Sequence, residues 1–568
     1  MPAPSESSSR DLLSLKIFDH HYEDSTRVEE LQRSYFRAKH IARLHDLNLE
    51  DVHHLTTKFW DVHRDNIIVR DTTAQILVTI QFNLVAGTLA PFVLERPDLK
   101  PFMKQVLNFD VSASFMLNEV GHGCDARNLE TTATWRADGS FTLHTPNAGA
   151  MKFMPPSMPI PGVRRVGLVF ARLLVKDEDR GVRGFLVPIT DGQEMCKGVQ
   201  SWLLPSITGG KMLDHSLTSF DQVRLPPSAM LGKLEMPANL RNQFLSSISR
   251  LGTGALALSL WIIPFLKCSV YTVGTYSQNR TVQQGARGKR APIISFRTQQ
   301  IPILHTLARI AVMEAFADWM TDLYSNRQYA YHPDARHGLA VIVKCLFIQN
   351  GQSSLKDLIE RSGAQGVYPH NQMTAFESLT RATGIAEGEV LVLSIRLATE
   401  ILIGRYDVPP AKRPNSLLAQ HEAGVMAELK AHMTGIQDHR GEEYSKKILP
   451  QCRPLVLAIA QRMAYEAAVD ACVDPALLEL FEADAISVDS AWYTETLGLS
   501  RATQFEMDSK ALDAVYPRLQ TLLDDLDVEP YCTAAMLSPD RWSGIINASQ
   551  TFTGNAQFEF SGRPSSKL

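Results

Sequence analysis

The sequence predicts an α+β protein in which a β-domain is set between helical domains. Three observations lead there. Residues 1–112 and 237–408 carry apolar residues at helical spacing over long stretches. Residues 113–236 instead hold short β-rich segments punctuated by Gly, Pro, Asp and Asn. Helical patterning then resumes over 409–568. The chain has 568 residues, too many for one ordinary core. We therefore expect an N-terminal α-domain (1–112), a barrel-like or sandwich β-domain (113–236), a four-helix bundle (237–408) and a C-terminal helical domain (409–568).

The elements follow in order. "TRVEELQRSYFRAKHIARLHDL" alternates apolar and charged residues as a surface helix does, and "TAQILVTIQFNLVAGTLAPFVL" reads as a buried one. Pro97 and Pro101 are expected to bracket a turn. "ATWRADGSFTLH" predicts a hairpin turning at Asp138-Gly139. Four long helices follow: one across "RNQFLSS…SQNR", one across "TQQIPIL…SNR", one across "ARHGLAV…ERSG", and one from "TGIAEGEVLVLSIRLATEILIG". Gly404 suits the cap of the last, Pro409-Pro410 stops it, and "PPAKRPNS" reads as a linker.

Composition excludes several classes. The formal charge of -4 argues against a general nucleic-acid binder. The most basic stretch, "RTVQQGARGKRAP", reads as an exposed loop. Seven dispersed cysteines lack metal spacing and suggest reduced thiols, so no metal is expected. No secretory signal is visible, and "GALALSLWIIPFL" is shorter than a membrane span, so no transmembrane segment is expected. The chain ends Ser566-Lys567-Leu568, a peroxisomal address read by an import receptor.

One stretch poses a chemical question. Glu387 and Glu389 open an apolar helix. A helix start favours acids, and a buried carboxylate there is also a candidate base. Upstream, "MLNEVGHGCDARNLETTATW" (116–135) sets Gly121 and Gly123 in a loop where backbone can pass close to a flat or charged group.

This loop resembles the flavin-adjacent loop of the acyl-CoA oxidase and acyl-CoA dehydrogenase superfamily, which in the oxidases looks like "TEMGHGTHLRGLETTATY". "GFLVPITDG", "FDQVRLPPSAML", "YSQNRTVQQ", "ISFRTQQIPILHTLA" and "SGAQGVY" resemble further oxidase segments in the same order, and "IAEGEVLVL" sits where the family has "TFEGENTVM". The resemblance covers roughly residues 60 to 410 by motif, nearest the peroxisomal oxidases. It implies an FAD-dependent α,β-desaturation of an acyl-CoA thioester with electrons passed to O2, in a homodimer of β-oxidation type. Glu387 matches the base that removes the α-proton. The positions matching cofactor contacts are Asn118, Gly121, Gly123, Ser157, Arg280, Gln300, Gly363 and Gly366, with Glu389 on the cofactor side or facing solvent.

There are departures from the family pattern. Asn118 replaces a threonine, "KFMPPSMP" replaces a segment like "KWWPGGLG", Arg297 replaces a glutamine, and Ala364-Gln365 and Val390-Leu391 differ. These suggest a reshaped site and a specialised acyl group. Two other readings stand beside the oxidase: a dehydrogenase serving a protein electron acceptor, and a non-catalytic relative that binds a partner.

Overall fold

The computed structural model describes residues 9–19, 25–123, 125–206, 213–284, 288–326 and 333–557. The Ser-Lys-Leu end and Cys124 lie outside them. The six other cysteines are free thiols.

The N-terminal region is helical. Helix Arg27–His45 starts in a capping box, with Thr26 and Glu29 satisfying each other's backbone N–H groups. The buried helix expected over residues 73–94 is two α-segments, Thr72–Thr79 and Gly87–Glu95, joined by a π-helical segment, Ile80–Ala86. Pro91 lies inside the second segment. It cannot donate to the preceding turn, and π-bulges of this kind occur often at functional sites. Pro97 and Pro101 do not bracket a turn: Pro97 opens a short 3-10 helix that runs into helix Lys100–Leu107, and Pro101 sits in that helix's first turn. There its missing N–H costs nothing.

The β-domain has two sheets among the described residues. The larger contains β1 (Ser112–Met116), β2 (Thr132–Trp135), β3 (Phe141–His144), β5 (Arg165–Val175), β6 (Glu178–Thr190), β9 (Val223–Leu225) and β10 (Met230–Leu231). Their order is β10-β6-β5-β2-β3-β9, with β1 also parallel to β5. The β2–β3 hairpin turns where expected, with Gly139 at φ +84. The smaller sheet is antiparallel: β4 (Lys152–Pro156), β8 (His215–Phe220) and β7 (Val199–Leu203). Phe153 and Trp202 both pair with Leu217, so the three share one face, on which Phe153 and Trp202 are exposed.

A buried ion pair anchors the loop after β1. Lys152 Nζ lies 2.9 Å from Glu119 Oε1, and neither side chain is exposed. The lysine also donates to the Phe170 carbonyl at 2.7 Å, and Glu119 accepts the backbone N–H groups of Glu130 and Thr131. Burial pushes the ammonium down to about 8 against the pull of Glu119. Removing one partner strands a charge, so Lys152→Met is expected to cost about 3–5 kcal/mol. Chemical denaturation followed by fluorescence measures this; a cost below about 1 kcal/mol would contradict it.

The bundle is built from helices Arg250–Leu260, Ile262–Asn279, Arg297–Ser325, Pro333–Arg361, Met373–Ile385 and Val390–Leu402. The first expected helix is thus broken, into Leu240–Ser247 and the first two of these. Pro264 falls in the first turn of Ile262–Asn279, where a proline is tolerated. Two stretches, Thr72–Glu95 and Leu240–Asn279, are long and apolar enough to cross a membrane, and 78% and 89% of their windows are buried within the fold. Gly404 follows the last bundle helix at φ +71, as its capping role requires. The basic stretch read as a loop is in part an exposed hairpin, β11 (Thr281–Gln284) with β12 (Lys289–Pro292).

The C-terminal helices pack directly on the bundle. His305 bridges Asp484 at 3.0 Å and Asp508 at 2.8 Å, joining three helices. Burial would lower this imidazole's pKa, but the two carboxylates outweigh it and hold it at about 9. Arg309 adds two hydrogen bonds to Asp484.

Candidate active site

Helices Met373–Ile385 and Val390–Leu402 are separated by four residues, and the two acids of that loop part company. Glu389 is the N-cap: its carboxylate accepts from Leu391 N at 2.9 Å and Val392 N at 3.0 Å. It satisfies the helix-start role. Glu387 turns inward, from a left-handed backbone at φ +55 followed by Gly388 at φ +99.

The Glu387 carboxyl lies over Gly254 in helix Arg250–Leu260. A methyl group built on Gly254 would sit 1.3 Å from Glu387 Oε2 and 2.7 Å from Asn83 Nδ2. Oε2 is buried without a hydrogen-bond partner among the described residues. Burial pushes this acid up to about 8, against Lys344 and then Arg250, which pull it down. A carboxylate desolvated to this degree is a stronger base than one in water.

Two cations flank it. Arg250 is held by reciprocal bonds to Asn83 in the π-helical segment: its Nε donates to the Asn83 carbonyl at 3.1 Å, and Asn83 Nδ2 donates to the Arg250 carbonyl at 3.2 Å. Its guanidinium lies against Gly87, where a methyl group would come within 2.0 Å of Nε, and over Phe59. Nη2 has no partner among the described residues. Burial pushes this arginine down to about 9, opposed by Glu387. Lys344, from helix Pro333–Arg361, donates to the carbonyls of Ala386 at 2.6 Å and Gly388 at 2.8 Å, on either side of Glu387.

Gly87 also lines a cavity of about 390 Å³ between helix Gly87–Glu95, β6 and helix Leu240–Ser247. Thr88, Phe92, Phe170, Arg183 and Lys233 line it too. Arg183 Nε and Nη2 donate to the carbonyls of Lys233 and Glu235. Gly87 thus connects the cavity's lining to the Arg250 guanidinium, which is bonded in turn to Asn83.

The other sequence-matched positions divide. Asn118, Gly121, Gly123 and Arg280 are exposed, and Gly363, at φ +59, has open space around it. Ser157 is wholly buried, its hydroxyl bonded to Ser201 and Thr218 at 2.8 and 2.7 Å. Gln300 is buried and donates to the Ile294 carbonyl. A methyl group on Gly366 would lie 2.2 Å from the Ile359 carbonyl oxygen, so this glycine serves helix packing. Sequence reading missed Asn83, Arg250, Gly254, Lys344 and Trp202. One signal was available: Lys344 is a single charge inside the apolar run "LAVIVKCLFI".

No protein-family model matches the chain. Peroxisomal acyl-coenzyme A oxidase 2 of Arabidopsis thaliana is 22% identical over 355 residues, 58% of this chain and 51% of the relative. The crystal structure of acyl-CoA oxidase3 from Yarrowia lipolytica superposes with a TM-score of 0.78 at 16% identity, covering 94% of this chain and 87% of that one. The chain is similar to the peroxisomal acyl-CoA oxidases in sequence and in fold. The likeness in fold extends over 94% of the chain, which spans about half the length of the curated sequences it matches. A second similar structure is acyl-CoA oxidase-2 of Caenorhabditis elegans, bound with FAD, ascaroside-CoA and ATP. It has a TM-score of 0.65 at 15% identity and covers 96% of this chain and 95% of that one.

Among the described residues, no group of three or more His, Cys, Asp or Glu could hold a metal ion.

Proposed function

We propose that the chain oxidises an acyl-CoA, or a related acyl thioester, across its Cα–Cβ bond, with electrons passing to O2 to give hydrogen peroxide. The observation that carries this is the Glu387 carboxyl, buried, unpartnered at Oε2 and raised to about 8 by burial. A weak carbon acid needs such a base. Glu387 removes the α-proton. Its own N–H makes no backbone hydrogen bond among the described residues, which leaves it available to the thioester carbonyl as negative charge develops there. Arg183 and Lys233, against the single acid Glu235, leave the cavity lining with a net positive charge that suits a phosphate-bearing coenzyme A.

The cofactor of this reading is FAD, bound in the C. elegans relative. The residues present fit it: Phe153 and Trp202 offer an exposed aromatic face, and Asn118, Gly121, Gly123, Arg280 and Gly363 remain open to a ligand. Ser157, Gln300 and Gly366 are committed internally. When bound, FAD supplies the acceptor for the hydride that leaves Cβ. Val367 and Tyr368, close to Gly363 in the chain, are exposed, an apolar surface that a second copy in a homodimer would cover. The names of the curated relatives support a peroxisomal location, which would require an import receptor as partner.

An absorbance spectrum of the purified protein before and after heat release tests the cofactor. No flavin after reconstitution with excess FAD would sink this reading. With flavin present, peroxide release from a panel of acyl-CoA thioesters is expected to rise with pH and level off above about 8, because only ionised Glu387 accepts the proton. A profile flat from pH about 6 to 9 would exclude Glu387 as the base.

A further inference from the structure

We propose that Lys344 is the positioning residue of this site: its ammonium fixes the loop that carries Glu387 and offsets part of the cost of ionising that carboxyl. The inference rests on Glu387 being the base.

The loop needs a fixing group. Glu387 at φ +55 and Gly388 at φ +99 are consecutive left-handed residues. For a residue with a side chain this conformation costs about 1–2 kcal/mol, and it persists only where the surroundings over-determine it. Lys344 Nζ supplies the constraint from below, 2.6 Å from the Ala386 carbonyl oxygen and 2.8 Å from that of Gly388. The two bonds straddle Glu387, so its backbone cannot flip without breaking one of them.

A neutral donor would serve as a clamp alone. The site instead carries a cation, 1% exposed, between Val343 and Cys345 in an apolar helix. That is a costly choice unless the charge acts on something. The charged groups around it are few. Glu387 and Glu389 act on Lys344, Lys344 and Arg250 act on Glu387, and Arg336 acts on Arg250. Arg250 also acts on the carboxyl, but its Nε bonds the Asn83 carbonyl and it makes no hydrogen bond to the loop among the described residues. Lys344 is therefore the cation that holds the loop and also opposes the desolvation of its carboxylate.

The test uses the holoenzyme and three variants. Lys344→Gln keeps an N–H donor without charge, Lys344→Met suits the apolar helix should the first fail to fold, and Lys344→Arg keeps the charge. The readout is the Glu387 carboxyl stretch, isolated as an infrared difference against Glu387→Gln and followed through a pH titration. This reports on ionisation whether or not any acyl-CoA is turned over, so it separates this inference from the oxidase reading. The Gln and Met variants are expected to move the titration upward by about one pH unit or more, with the acidic limb of any rate profile moving with it, while Arg leaves the midpoint near that of the unmodified protein. A folded Gln or Met variant with an unmoved midpoint overturns the proposal, as does an Arg variant shifted as far as they are.

Discussion

Glu387→Gln is expected to lower acyl-CoA oxidation by about 10²–10⁴-fold while making the folded protein relatively more resistant to heat as pH rises. The two effects have one cause. The carboxyl is buried beside Gly254 without a partner for Oε2, so its charged form is destabilised and its pKa rises from 4.5 to about 8. Between those values the unfolded chain has released the proton and the folded chain still holds it. Stability therefore falls as pH rises through that window. Glutamine resembles the protonated acid in shape and charge, and removes that dependence. Thermal melts at about pH 5 and about pH 8 should show the advantage of the variant growing with pH. A variant that keeps full activity would remove Glu387 from the chemistry. One whose melting temperature tracks the unmodified protein at both pH values would show that the acid is not desolvated.

The sequence carried the larger features because they are periodic or local. Helical spacing, the change of texture at residue 113 and the Asp138-Gly139 turn each rest on neighbours in the chain, and the structure has all three. Breaks inside long helices were harder to read. The π-segment Ile80–Ala86 and the interruption before Ile262 lie in largely apolar stretches, where hydropathy is indifferent to hydrogen-bond register. The site shows the same division. The motif marks Glu387 rather than Glu389 by position, but it could not say how either side chain is oriented. The left-handed backbone at 387 and the free N–H groups at 391 and 392 settle that, and both are properties of three dimensions. Ser157 matches by position too, but its hydroxyl points between β7 and β8. Arg250, Asn83 and Lys344 come from segments far apart in the chain, and only packing brings them to one carboxylate.

Gly254→Ala is expected to be the most damaging single methyl group that can be added near this site. Alanine favours a helix over glycine by about 1 kcal/mol, so on propensity alone the variant should gain stability. At this position the new methyl would stand 1.3 Å from Glu387 Oε2, 2.2 Å from its carboxyl carbon and 2.7 Å from Asn83 Nδ2. No contact of that length survives, and the neighbours cannot share the adjustment equally. Asn83 is tied to the backbone of Arg250, and the Glu387 loop is tied to Lys344. The side chain of Glu387 must therefore swing away from the helix, and a base displaced by about 1 Å loses on the order of 10²-fold in rate. Gly252→Ala is the control: it lies in the same helix, gains the same propensity, and its methyl would meet only His337 Nδ1, at 3.2 Å. The pair should differ by about 10²-fold in kcat/KM while both stay folded. Equal rates would mean that Glu387 works from another rotamer, one in which Gly254 makes no room for it.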